Sequence, residues 1–171
     1  MTPVQIALIS ACISACAIVI GATSAFLAYR SLRSTHEWNR RKAAQDAALL
    51  FNQRVQGRDV LDEQLNYVSS SEPIGIETLH QKFAAVAGLK PAIHSLLNYF
   101  EMLARGVHQS IYDETVIRVA WKGAMTRAME RFGPYIKERR TASPAAWREL
   151  EGLVSKWRHQ ETQVTERAPT G

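Results

Sequence analysis

The sequence predicts an all-α protein in which an N-terminal transmembrane helix continues into a stalk and is followed by a small cytoplasmic helical bundle. Three observations predict it. No Asp, Glu, Lys or Arg occurs from Met1 to Tyr29. Apolar residues further on recur at three- and four-residue spacing. No long run alternates apolar with polar residues as a half-buried strand would. The corresponding divisions are an anchor over residues 1–30, a basic collar and stalk over 31–57, a helical domain over 58–158 and a disordered tail over 159–171.

The uncharged run contains "ISACISAC", and either Ile-Ser-Ala-Cys tetrad resembles a lipoprotein cleavage box at Cys12 or Cys16. A cleaved export signal needs positive charge before its apolar core, whereas "MTPVQIA" supplies only the terminal amine. A permanent anchor fits better. Val4 to Tyr29 would form a helix of roughly 39 Å at about 1.5 Å per residue, against a hydrocarbon core of about 30 Å.

The collar follows at once, with Arg30, Arg33, Arg40, Arg41 and Lys42 against Glu37, and carries +4 of the net charge of +5. Basic residues flanking a span orient it with the positive side in the cytoplasm. The expected setting is therefore the bacterial inner membrane, with the N-terminus periplasmic and the domain cytoplasmic. A basic excess confined to this place suits anionic lipid headgroups rather than nucleic acid.

Within the run, Ser10, Ser14, Ala17, Gly21, Ser24 and Ala28 fall on one face at alternating four- and three-residue steps. Small residues permit close backbone approach between helices in lipid, so this stripe is a candidate seam for a homo-oligomer. Abundant Ala, Ser and Gly can also produce such a stripe without pairing. The chain has two cysteines, Cys12 and Cys16, so the soluble part offers no disulfide, zinc knuckle or thiol catalyst.

Beyond the collar, helix formers continue without Pro or Gly to Gly57, where the stalk is expected to end. Val60, Leu61, Leu65 and Val68 follow at helical spacing, and "SSSEPIG" marks a loop. A helix around residues 76–87 is broken by "GLKP", and an amphipathic helix begins near Pro91 with Ile93, Leu96, Leu97, Phe100, Leu103, Ala104 and Val107 on one face. The next runs from about Glu114 to Phe132 and meets Gly133-Pro134. The last has Ser143 as an expected N-cap, Pro144 at its first position, and Trp147, Leu150, Leu153, Val154 and Trp157 as its apolar face.

The stretch most suggestive of chemistry is "LLNYFEMLARGVHQSIYDETVIRVAW". Opposite the apolar face, His94, Asn98, Glu101, Arg105 and His108 form one polar stripe, a candidate interaction surface. His94, Glu101 and His108 are seven residues apart, about 10.5 Å per step, too far for any two to share a metal ion without another element. Asp113 is expected to cap the following helix through the amides of Thr115 and Val116, with Tyr112 stapled on Ile117 and Glu114 favoured by the helix dipole. An alternative is an acid/base cluster of Glu101, His108, Asp113 and Glu114. No phosphate-binding glycine loop, zinc-protease or serine-hydrolase motif is present, and no cofactor is implied.

"LLNYFEMLARGVHQSIYDE", followed by Trp121, "YIKERR" and "AWRELEGLVSKW", resembles a bacterial family called domain of unknown function forty-seven sixty. Its members carry Asn-x-x-Glu (here Asn98 and Glu101), a glycine such as Gly106 and an Asp-Glu pair (here Asp113 and Glu114). The resemblance spans Pro91 to Trp157 and does not reach residues 58–90. It implies a bacterial source, a membrane helix and a compact helical domain, and assigns no activity.

The expected function is a single-span membrane protein whose helical domain serves protein interaction or assembly, with membrane lipid, a second copy or another protein as partners and no role for nucleic acid. The alternatives are a membrane-tethered enzyme using Glu101, His108 and Asp113, and a membrane-active effector that oligomerises through its anchor.

Overall fold

The computed structural model describes residues 3–167, with side chains from Val19 to Gln163 except Asn52. Among these residues every regular element is helical, so the all-α class holds. The chain divides into two compact units, Met1–Asn39 and Arg40–Gly171.

The described residues of the first unit, 3–39, belong to α1 (Pro3–Leu49). Among the described residues no helix is long and apolar enough to cross a membrane. The side chains of residues 1–18, the larger part of the expected anchor over 1–30, lie outside the described ones, among them those of the seam residues Ser10, Ser14 and Ala17. Gly21, Ser24 and Ala28 are exposed, and a Cβ placed on Gly21 would meet nothing within 4 Å.

The second unit starts eighteen residues before the expected domain boundary, because the latter part of the stalk is built into the core. Ala44, Ala47 and Val55 are buried there, and the Tyr99 hydroxyl donates to the carbonyl of Ala47. Burial pushes the Tyr99 phenol up to about 12. The expected helix to Gly57 is interrupted: α1 stops at Leu49 and α2 (Phe51–Arg54) is a separate turn. Gly57 itself is needed for its backbone, with φ of +73° and Ala92 Cβ only 2.7 Å from where a side chain would begin.

Next come α3 (Arg58–Leu65) and α4 (Ile76–Ala85). The centre of the unit is α5 (Leu89–His108), whose apolar face is entirely buried as the spacing predicts. Around it pack α3, α6 (Glu114–Arg131) and α8 (Arg148–Arg167). Between α6 and α8, α7 (Gly133–Ala142) begins at the predicted Gly-Pro break, where Pro134 falls in the first turn and lacks no needed donor.

Two expectations about the last helix are corrected. Ser143 ends α7 rather than starting α8, which begins at Arg148. The tail from residue 159 is not disordered at its start, since α8 continues to Arg167. Contacts with α6 explain this: Arg118 donates to Gln160 at 2.9 Å, and Lys122 pairs with Glu161.

Candidate functional site

The polar stripe of α5 is covered by the turn that starts α8. Trp147 precedes that helix with φ of +52°, a conformation that L-residues seldom adopt. It is held there from both sides. Its indole N–H donates to Asn98 Oδ1 at 2.9 Å, and Arg140 donates to the carbonyls of Ala146 at 2.8 Å and Trp147 at 3.1 Å while pairing with Glu151 at 2.7 Å.

Glu101 then caps α8 from another helix. Its carboxylate accepts from the Leu150 amide at 2.9 Å and more weakly from the Glu149 amide at 3.4 Å. These are first-turn amides that would otherwise lack partners. Arg105 lies 3.7 Å from the same carboxylate, and His108 Nδ1 bonds the Glu149 side chain. At the other end of the stripe, His94 Nε2 and the Tyr135 hydroxyl are 2.6 Å apart. Burial lowers the His94 pKa, and Arg139 and Lys90 lower it further.

A second junction lies where α5 meets α6. Asp113 caps α6 as predicted, accepting from Thr115 N at 2.9 Å and Val116 N at 3.3 Å. Burial alone would raise its carboxyl; those two amides and Arg41 overcome that and hold it below its ordinary range. Glu114 does more than complement the dipole: it accepts from the Trp157 indole at 3.0 Å and pairs with Lys156 at 2.6 Å. These bonds outweigh burial and lower its pKa too. Tyr112 packs its ring on Gly106.

The collar is therefore divided. Arg33 pairs with Glu37 at 3.4 Å, and Arg30 is exposed. Arg41 reaches Asp113 at 3.4 Å, Arg40 donates to the Tyr112 carbonyl at 3.3 Å, and Lys42 also engages other groups. At least Arg40 and Arg41 brace the α6 junction as well as adding positive charge.

Glu101 and His108 meet at Glu149, but Asp113 and Glu114 serve the separate α6 junction. The proposed four-residue acid/base cluster is not assembled. Among the described residues no three of His, Cys, Asp and Glu are placed to hold a metal ion.

What the stripe leaves open is a cleft of about 330 Å³ lined by His94, Asn98, Glu101, Arg105, Arg139, Ser143 and Trp147. A larger recess of about 580 Å³ lies between α1 and α6 near Leu49 and Val119, and its lining carries no charged group. Arg139, Arg140 and Tyr135 enter the sequence only within "YIKERR", where no site role is expected of them. Their only local signal was a pair of arginines in the last turn of a helix, which the dipole alone accounts for.

The fold and these junctions define a helical domain in which one tryptophan just before the last helix and another within it, Trp147 and Trp157, are received by polar side chains of α5 and α6. The chain belongs to the family described as Domain of unknown function (DUF4760), which it matches over residues 13–157. The match extends well upstream of Pro91 and takes in residues 58–90. No curated protein and no solved structure matches the chain.

Proposed function

We propose that this chain is a single-span inner-membrane protein, anchored by its N-terminal helix with the N-terminus periplasmic, whose cytoplasmic helical domain is an interaction and assembly module. Its partners are membrane lipid at the collar, another copy through the seam, and a protein met by the domain. The uncharged run to Tyr29 and the +4 collar support the anchor and its orientation.

One observation carries the module reading. The polar residues that most invite a catalytic interpretation are engaged in holding α8: Asn98 on Trp147, Glu101 on the Leu150 amide, Glu114 on Trp157. A general acid or base must reach a substrate proton, and a carboxylate already bonded to two backbone amides is poorly placed to do so. Their separate engagements weigh against an enzyme built on Glu101, His108 and Asp113.

The test is native mass spectrometry of the full chain extracted from membranes in mild detergent, paired with reporter fusions at each terminus. The reading expects a C-terminal reporter active only in the cytoplasm, and masses at multiples of 19.2 kDa or with a stoichiometric protein partner. A bare monomer, or a chain released from membranes by salt, overturns it.

A further inference from the structure

The cleft beside Trp147 contains more hydrogen-bond donors than the protein uses. Asn98 accepts from the Trp147 indole through its oxygen, which leaves both amide N–H groups of Asn98 without a partner among the described residues. Arg139 is half-buried in the wall, and its guanidinium has no hydrogen-bond partner among the described residues. The Ser143 hydroxyl is equally unengaged, and Arg105 remains exposed beside its weak contact with Glu101.

The amide and carboxylate acceptors, in contrast, are engaged. Glu101 is bonded to the Leu150 and Glu149 amides, and Asn98 Oδ1 to the indole. His94, kept neutral by its surroundings at pH 7, adds no charge. Arg105 and Arg139 against Glu101 leave the lining at +1.

We propose that this cleft binds a carboxylate carrying a single negative charge, held by Arg139 with the Asn98 amide and Ser143 hydroxyl as supporting donors. A planar guanidinium matches a carboxylate through two parallel hydrogen bonds. A surplus of one positive charge suits one negative charge; a doubly charged phosphate would meet the fixed Glu101 carboxylate with nothing left to balance it. The volume is at the lower end for ligand sites, so the carboxylate belongs to a small acid or to the end of a peptide. The inference rests on the interaction-module reading and names the chemistry the module recognises.

Calorimetric titration of the full chain in detergent at pH 7 tests it. The probes are N-acetylglycine, its uncharged amide N-acetylglycinamide, N-acetyl-tetraalanine as free acid and as amide, and inorganic phosphate. The free acids are expected to bind at least about tenfold more tightly than their amides, given the usual loss on removing one partner of a charged hydrogen bond. Binding of both acids indicates a small-acid site, and binding of the tetrapeptide acid alone indicates a peptide terminus; either supports the carboxylate. Arg139→Gln is expected to lose about tenfold or more in acid affinity. Asn98→Asp keeps the acceptor for Trp147 while placing a negative charge in the cleft, so it is expected to abolish acid binding with the fold intact. Equal binding of acid and amide, tighter binding of phosphate, no heat with any probe, or unchanged affinity in Asn98→Asp overturns the proposal. Native mass and topology read out the module independently, so either can fail alone.

Discussion

Trp157 donates its indole N–H to the Glu114 carboxylate at 3.0 Å, although the tryptophan is fully buried and the glutamate sits in the first turn of a different helix. A buried indole without an acceptor is costly. Glu114→Ala is therefore expected to destabilise the chain by about 1–3 kcal/mol, the penalty for an unsatisfied buried donor. Glu114→Gln retains an acceptor oxygen and is expected to lose less. Thermal unfolding followed by tryptophan fluorescence separates the two; equal loss in both would show that the charge on Lys156, not the indole bond, is what matters.

Glu101 caps α8 across the bundle, and that predicts a local signature. Glu101→Ala leaves the Leu150 and Glu149 amides without their acceptor and is expected to cost about 1–2 kcal/mol, comparable to loss of an N-cap. Hydrogen exchange at the start of α8 should accelerate more than exchange in α5. Uniform acceleration in both helices would mean that Glu101 supports the bundle generally and is not a cap.

Local interactions were legible in the sequence and distant ones were not. The apolar face of α5 and the Asp113 cap depend on residues within a few positions of one another, and both were found where the spacing put them. The start of α8 depends on Glu101 and Asn98, nearly fifty residues away, so the local pattern of Ser143 and Pro144 pointed to the wrong N-terminus. The stripe from His94 to His108 could be placed on one helix face, but nothing in α5 alone could show that Trp147, Glu149 and Tyr135 cover it. The continuation of α8 past residue 158 has the same origin, since its polar residues gain partners only when α6 lies alongside.

Gly106 is the position where a single methyl group should be felt most. It lies inside α5, and a Cβ there would overlap the Tyr112 ring, which turns back over the helix as the Ile111 and Tyr112 amides bond the Gly106 carbonyl at 2.8 and 3.0 Å. Alanine would ordinarily favour a helix by about 1 kcal/mol over glycine. Here overpacking is expected to reverse the sign, with Gly106→Ala destabilising by about 1–3 kcal/mol. In a double-mutant cycle with Tyr112→Ala the penalty for the added methyl should disappear. A stabilised Gly106→Ala single variant would show that the ring moves aside freely.

His94 sets a pH dependence whose direction follows from its surroundings. Burial, Arg139 and Lys90 all disfavour its protonated form, so its folded-state pKa lies below the ordinary value of 6.5. As pH falls through 6.5 the unfolded chain takes up a proton that the folded chain does not, and stability is lost until the folded-state pKa is reached. Well above 6.5 both states are neutral and the contribution is full. The Asp113 and Glu114 carboxyls act lower, because their folded-state values are also depressed: their contribution is present above the ordinary 3.8 and 4.5 and disappears below. The two windows can thus be separated. Melting temperature of the full chain should fall between about pH 7.5 and about pH 5.5, the range in which an ordinary histidine titrates. His94→Gln, which can still bond the Tyr135 hydroxyl, should flatten that fall while keeping the acid-side loss below about pH 4.5. An unchanged slope in His94→Gln would assign the pH response to another group and remove His94 as its source.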